Sequence, residues 1–179
     1  MGVFRFSDRW QQSIRDLWNR EDQTDRLMAL LERRDRDLED WIERVLPRGL
    51  IGESSTSTSQ TGVGTSATLV SNIEVKFVAE AGRTYWLAGQ LFARQRTAVG
   101  LVRLELYDNT AGSIIRDSGM TLTTDGYGTI FCAAKHVPTT TVERSYRLRA
   151  YTSNNTVDLN GGSDLDSSLA VFDMGAVQL

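Results

Sequence analysis

Lysine is nearly missing from this 179-residue chain: Lys76 and Lys135 are the only two, and every other fixed positive charge is an arginine. The arginines spread over both halves, so the bias reads as the mark of a GC-rich coding genome more than as a device for forked ion pairs. Cys132 is the only cysteine and His136 the only histidine. That excludes an intrachain disulfide framework and a Cys/His metal site built within one chain, and no metal or cofactor is expected. A net charge of -3 and a pI of about 5.2 leave no overall basic footprint, so nucleic acid is not an expected partner. No run approaches the roughly 18 apolar residues of a membrane span. The start MGVFRFSDRW lacks the apolar core of a signal peptide, which points to synthesis in the cytoplasm.

What is present falls into two contrasting halves. From Ser7 to about Leu46 the pattern is helical, with no glycine or proline inside it, and Pro47 and Gly49 supply stop signals. With Ile14 at heptad position a, the d positions are Trp10, Leu17, Thr24, Leu31, Leu38 and Val45. The a positions are Ile14, Glu21, Met28, Asp35 and Ile42. Arg20 then faces Asp25, and Arg34 faces Glu39, in the g-to-e placing used between coiled-coil strands. The expected oligomerisation residues are therefore Ile14, Leu17, Thr24, Met28, Leu31, Leu38, Ile42 and Val45. Isoleucine at a with leucine at d suits a dimer, while Leu27 and Trp41 widen the apolar face toward a trimer. The competing reading is an amphipathic helix lying on its own domain. Val3, Phe4, Phe6 and Trp10 form a candidate anchor at the N-terminal end. Their simpler reading is a frayed terminus with a partial hydrophobic staple.

The stretch 50–67, which contains ESSTSTSQTGVGTS, has no periodicity and reads as a flexible linker. From Thr68 the period becomes two. Ile73, Val75 and Phe77 alternate with Glu74 and Lys76; Val102, Leu104 and Leu106 with Arg103 and Glu105; Tyr146, Leu148 and Ala150 with Arg147 and Arg149. Further strands are expected at RTYWLAGQLFAR, SIIRD, TIFCAAKHV, TVDLN and SLAVFDMGAV, with turn signals between them. About eight short strands and no helical pattern predict a jelly-roll-like antiparallel sandwich over 68–179. The expected fold class is α+β by segregation: a long N-terminal coiled-coil helix over 1–49, a linker over 50–67, then an all-β sandwich.

Chemistry-bearing residues are few. His136 has no GxSxG serine to serve, and Cys132 alternates in phase with inward Ile130 and Ala134. Asp158, Asn160, Asp164 and Asp166 offer hard oxygen ligands at calcium-like spacing, but the EF-hand pattern fails and a hairpin loop with Asx turns explains them. No paired carboxylates stand in a placed glycosidase motif. An enzyme is not expected, and no catalytic residue is assigned. Trp86, Phe92, Tyr107, Tyr127 and Tyr151 are candidates for a sugar-stacking platform. Trp86 and Phe92 share a parity opposite to Tyr85, Leu87 and Leu91, so that strand carries apolar side chains on both faces. One face packs the core; the other is expected to meet another subunit or a ligand.

Two stretches, AGRTYWLAGQLFAR and SLAVFDMGAV, together with the layout of stalk, hinge and terminal sandwich, resemble minor tail and fibre proteins of actinobacterial tailed bacteriophages. In those proteins the closing strand often reads V-E-D-I-G; here Phe172-Asp173-Met174-Gly175 stands in that place. The resemblance implies a virion structural protein, commonly trimeric with a dimer also open, attached by its N-terminal end to other virion proteins. It implies no catalytic residues. A host-surface glycan is a candidate ligand of the projecting head. The alternatives are a capsid decoration or head-fibre protein, and a carbohydrate-binding module without catalysis.

Overall fold

The computed structural model describes residues 8–95, 98–153, 156–160 and 166–176; within the helix, side chains are described at 12, 23–39, 41–43 and 45. The chain forms two compact units, Met1–Arg44 and Val45–Leu179. Among the described residues a single helix, α1, spans Asp8–Val45. Uninterrupted helix formers and the absence of glycine and proline sustain it. It ends before Pro47, whose ring lacks the N–H a further turn requires.

The expected fold class needs correction. The chain is mostly antiparallel β-sheet with one helix, not a long coiled coil followed by a sandwich. Among the described residues there is no second helix for α1 to coil with. From Gln23 to Glu39 its side chains are exposed all the way round. The heptad reading rested on an apolar d row, while Glu21 and Asp35 break the a row. With Glu21 and Thr24 leaving one heptad without any apolar a or d residue and Asp35 interrupting another, the apolar row does not run on as a seam.

Among the described residues the second unit contains ten strands: β1 (Gly49–Thr56), β2 (Gln60–Val63), β3 (Thr68–Ala79), β4 (Arg83–Gln95), β5 (Gly100–Asp108), β6 (Ser113–Leu122), β7 (Tyr127–His136), β8 (Val142–Thr152), β9 (Val157–Leu159) and β10 (Ser167–Ala176). One layer runs β1-β10-β4-β7, with β9 continuing beside β4 beyond the end of β10 and β2 outside it. The other runs β3-β8-β5-β6. Every pairing is antiparallel. This interleaving of chain order across two layers is that of a jelly roll.

The linker expected over 50–67 is likewise corrected: it holds β1 and β2. The inward positions of β1 are small or polar and β2 buries a single apolar side chain, Val63, so no hydrophobic alternation marks them. A side chain on Gly52 would lie 2.8 Å from Val75 Cγ1, which means the two layers approach there at glycine distance. Ser54 Oγ donates to Asn72 O and accepts from Glu74 N, while the Gln60 amide donates to Leu69 O and accepts from Ser71 N. Hydrogen bonds, not apolar side chains, fasten this segment to β3.

The core lies between the layers. Ile73, Val75, Leu87, Leu91, Val102, Leu104, Leu106, Ile130, Leu148, Leu159, Leu169 and Val171 are buried in it. Tyr85 and Tyr146 flank Phe77 at ring distances of 5.0 and 5.6 Å. Near the entry of the chain a charged cluster is sealed in. Arg83, 2% exposed, donates to Asp173, 0% exposed, through Nε at 2.9 Å and Nη2 at 2.8 Å. Nη2 also donates to Leu46 O at 2.8 Å. Asp173 Oδ1 accepts from Gly175 N at 2.8 Å. Gly175 has φ +93°, and the Val45 carbonyl oxygen occupies the space a Cβ would need. The segment entering the sandwich is thus held at the ends of β4 and β10 by the Arg83 hydrogen bond to Leu46 O and by the close approach of Val45 O to Gly175.

Candidate functional site

The two layers present very different outer faces. On the β3-β8-β5-β6 side most outward residues form a lattice of charge, with Val78 and Ile114 exposed on the edge strands. Arg147 bridges Glu74 at 3.6 Å, Lys76 reaches Glu74 at 3.3 Å, and Arg149 donates to Glu105 at 2.8 and 2.5 Å. Arg103 pairs with Asp117, and the Arg149 guanidinium lies 3.8 Å over the Tyr107 ring. These partners face one another because the register sets Glu74 beside Arg147 and Glu105 between Arg149 and Asp117. Such a face is satisfied in water.

The outer face of β1-β10-β4-β7 is built from aromatic and small residues. Register puts Leu50, Phe172, Trp86 and Lys135 in one row. The next row is Glu53, Ala170, Ala88 and Ala133, and the third is Ser55, Ser168, Gln90 and Phe131. Beyond these, Phe92 lies beside Thr129 and Arg94 beside Tyr127. Trp86 is 43% exposed and Phe131 66% exposed, the largest value among the large apolar residues described. Between them lies a floor of three alanines. Formal charge is confined to the rim: Glu53, Lys135, and Arg94, whose guanidinium lies 4.9 Å over Tyr127 and 3.7 Å from Asp125. An apolar surface with a polar rim is what contact faces look like.

The parity argument for β4 holds for Trp86. Phe92 also points outward but is buried, since the Tyr127 ring stacks on it at 5.9 Å. Tyr107 and Tyr151 lie on the opposite, charged face, so the five aromatics do not form one platform. Of the expected oligomerisation residues, Thr24, Met28, Leu31, Leu38 and Ile42 are exposed on α1 and Val45 is half-buried. Ile14 and Leu17 lie on the helix, but their side chains fall outside the described set, as does that of Trp10. The anchor residues Val3, Phe4 and Phe6 lie outside the described residues altogether.

The remaining candidates resolve into structural roles. Asp158 Oδ1 accepts from Gly62 N, Asn160 Nδ2 donates to Thr58 O, and Asn160 Oδ1 accepts from Ser167 Oγ. These two residues therefore tie β2 and β10 together; Asp164 lies outside the described residues and Asp166 is exposed. Among the described residues no cluster of three or more His, Cys, Asp or Glu side chains is placed to hold a metal. Burial pushes the Cys132 thiol up, away from nucleophilic thiolate. Sequence reasoning missed the buried Arg83–Asp173 pair, for which charged residues in predicted strands were the only hint.

His136 is held below its ordinary range by burial, opposed by Asp108 at 3.8 Å; Arg144, itself paired with Asp108, lowers it further. Tyr146 meets its ring edge-on. The folded state therefore prefers the neutral imidazole. Its contribution is present above the unfolded value near 6.5 and is lost as pH falls through the lower folded value. Urea denaturation at pH 7.5 and pH 5 should show a smaller acid loss for His136→Asn than for the parent chain. Equal losses would remove His136 as the cause.

No family model matches the chain, and no curated protein matches it. Solved structures give distant likenesses. The Eiger TNF of S. frugiperda matches at TM-score 0.46 and 12% identity, over 74% of this chain and 97% of that one. A Bacillus endospore appendage, from a family of disulfide-linked pili, matches at 0.35 and 8%, over 72% and 92%. A CBM4 structure matches at 0.35 and 10%, over 64% and 74%. All lie below a TM-score of 0.5, and no functional argument is built on them.

Proposed function

We propose that this chain is a non-catalytic, self-associating structural component of a tailed-phage virion, whose sandwich serves as a contact module. The observation that carries the reading is the asymmetry of the two outer faces: one whose two central strands are laced with ion pairs, with Val78 and Ile114 exposed on its edge strands, the other aromatic over alanine with charge only at its rim. A module whose work is contact needs one face that water satisfies and one that it does not. The exposed apolar residues of α1 support self-association in the same way. The virion assignment is supported by the resemblance of AGRTYWLAGQLFAR and SLAVFDMGAV to phage tail and fibre proteins.

The test is immunogold labelling of purified particles with antibody raised against the sandwich, alongside sedimentation velocity of the isolated full-length chain. Label at one defined station on each particle and a species heavier than a monomer at micromolar concentration are expected. Particles free of the antigen would overturn the virion reading. A second reading, glycan binding without catalysis, is favoured by exposed Trp86, Phe131 and Tyr127. Retention on a glycan array that is lost in Trp86→Ala would select it.

A further inference from the structure

Sheet edges are sites of unwanted pairing, and folded proteins blunt them with bulges, charges or shortness. Among the described residues, β1, β2, β3, β6 and β7 each pair on one side only. Four of the five are blunted. β1 has an extra residue at Ile51 and carries Glu53. β2 is four residues long. β3 loses register between Leu69 and Glu74 and carries Glu74 and Lys76. β6 has an extra residue at Ile115 and carries Arg116 and Asp117.

β7 has no bulge and is not short, and its one formal charge, Lys135, stands next to its last residue. Its ten residues pair with β4 without a break, from Tyr127 beside Arg94 to His136 beside Tyr85. Tyr127–Ala134 holds no charge and no proline. Its outward side chains, Tyr127, Phe131 and Ala133, are exposed and continue the aromatic face of the layer. The charges near its ends have opposite sign: Asp125 precedes it and Lys135 nearly closes it. Antiparallel pairing of two such strands brings the acidic end of each to the basic end of the other, whereas parallel pairing would set like with like. The same strand thus supplies an open edge, an apolar side and complementary ends.

We propose that β7 is the contact between two copies of this chain, pairing antiparallel with its own counterpart about a twofold axis so that the two layers continue as one sheet. The register sets Phe131 opposite Phe131, Thr129 opposite Ala133 and Tyr127 opposite Lys135. Outward side chains then meet outward side chains, as the pleat requires. An aromatic pair sits on the axis, and each Lys135 lies over the partner's Tyr127 ring and close to its Asp125. The interface is isologous and closes at two copies. It deepens the self-association proposed above by naming the surface, and it does not depend on the virion assignment.

The full-length chain is the material for the test. Phe131→Lys sets two like charges on the axis and should weaken association by about a hundredfold in sedimentation equilibrium, with the β circular-dichroism signal intact. Ala133→Lys serves as a second variant. In a Cys132→Ala background, Phe131→Cys should form a disulfide-linked dimer under mild oxidation, because directly opposed residues stand about 4.5–5.5 Å apart at Cα. Lys135→Cys should not, since its counterpart lies about 27 Å away at about 3.4 Å per residue. An oligomer that is indifferent to both lysine variants, with no cross-link at residue 131, overturns the β7 contact and leaves self-association standing. A parent chain that is monomeric and fails to cross-link overturns both.

Discussion

Asp173→Ala is expected to destabilise the sandwich by about 3–5 kcal/mol, the range for removing one partner of a buried ion pair. The carboxylate is fully buried and receives two hydrogen bonds from Arg83, which is almost as deeply buried. Without it the guanidinium retains Leu46 O, and Glu80 at 4.0 Å, but loses its close counter-charge. Gly175 N loses its acceptor too. The penalty lies in the stranded charge more than in the lost attraction, so Arg83→Met/Asp173→Leu should recover much of the stability. Urea denaturation followed by far-ultraviolet circular dichroism measures all three proteins. An Asp173→Ala midpoint within about 1 kcal/mol of the parent would show that the cluster is not held as described.

Gly175→Ala should cost on the order of 3 kcal/mol, for two reasons that act together. At φ +93° an L side chain is strained wherever it points. Here it also points at the Val45 carbonyl oxygen, a backbone atom that cannot swing aside. Gly64→Ala is the matched control. Gly64 has no positive φ and no atom within 4 Å of its would-be Cβ, so that variant should be neutral or slightly stabilising. Equal midpoints for the two variants would contradict the close approach at Gly175.

Parts of the fold were legible because burial follows strand parity. Ile73, Val75, Val102, Leu104, Leu106, Tyr146 and Leu148 all lie on the face that alternation assigns them. β1 was illegible because its inward residues are Gly52, Ser54 and Thr56, and β2 because its four residues bury only Val63, so the alternation that marks a strand is absent where hydrogen bonds do the fastening. The coiled coil was over-read from leucines at seven-residue spacing, a pattern a solitary helix also produces. At the contact face, parity placed Trp86 outside but not Phe131, since TIFCAAKHV was read only for its inward Cys132. The edge position of β7 depends on pairings among strands far apart in the chain, which local periodicity does not encode. Arg83 and Asp173 lie in AGRTYWLAGQLFAR and SLAVFDMGAV, two stretches read as alternating strands. Their sealed bridge gives a physical reason for an arginine and an acid there.

β1 and β10 run antiparallel, with Gly49 beside Asp173 at one end and Thr56 beside Ser167 at the other. A tension applied to Gly49 along β1 would slide that strand lengthwise against its neighbour. Under such a load the bonds of the ladder share the force and must fail together, whereas a sideways pull opens them one after another. The geometry of the entry strand would therefore resist a pull along β1 better than a pull across it.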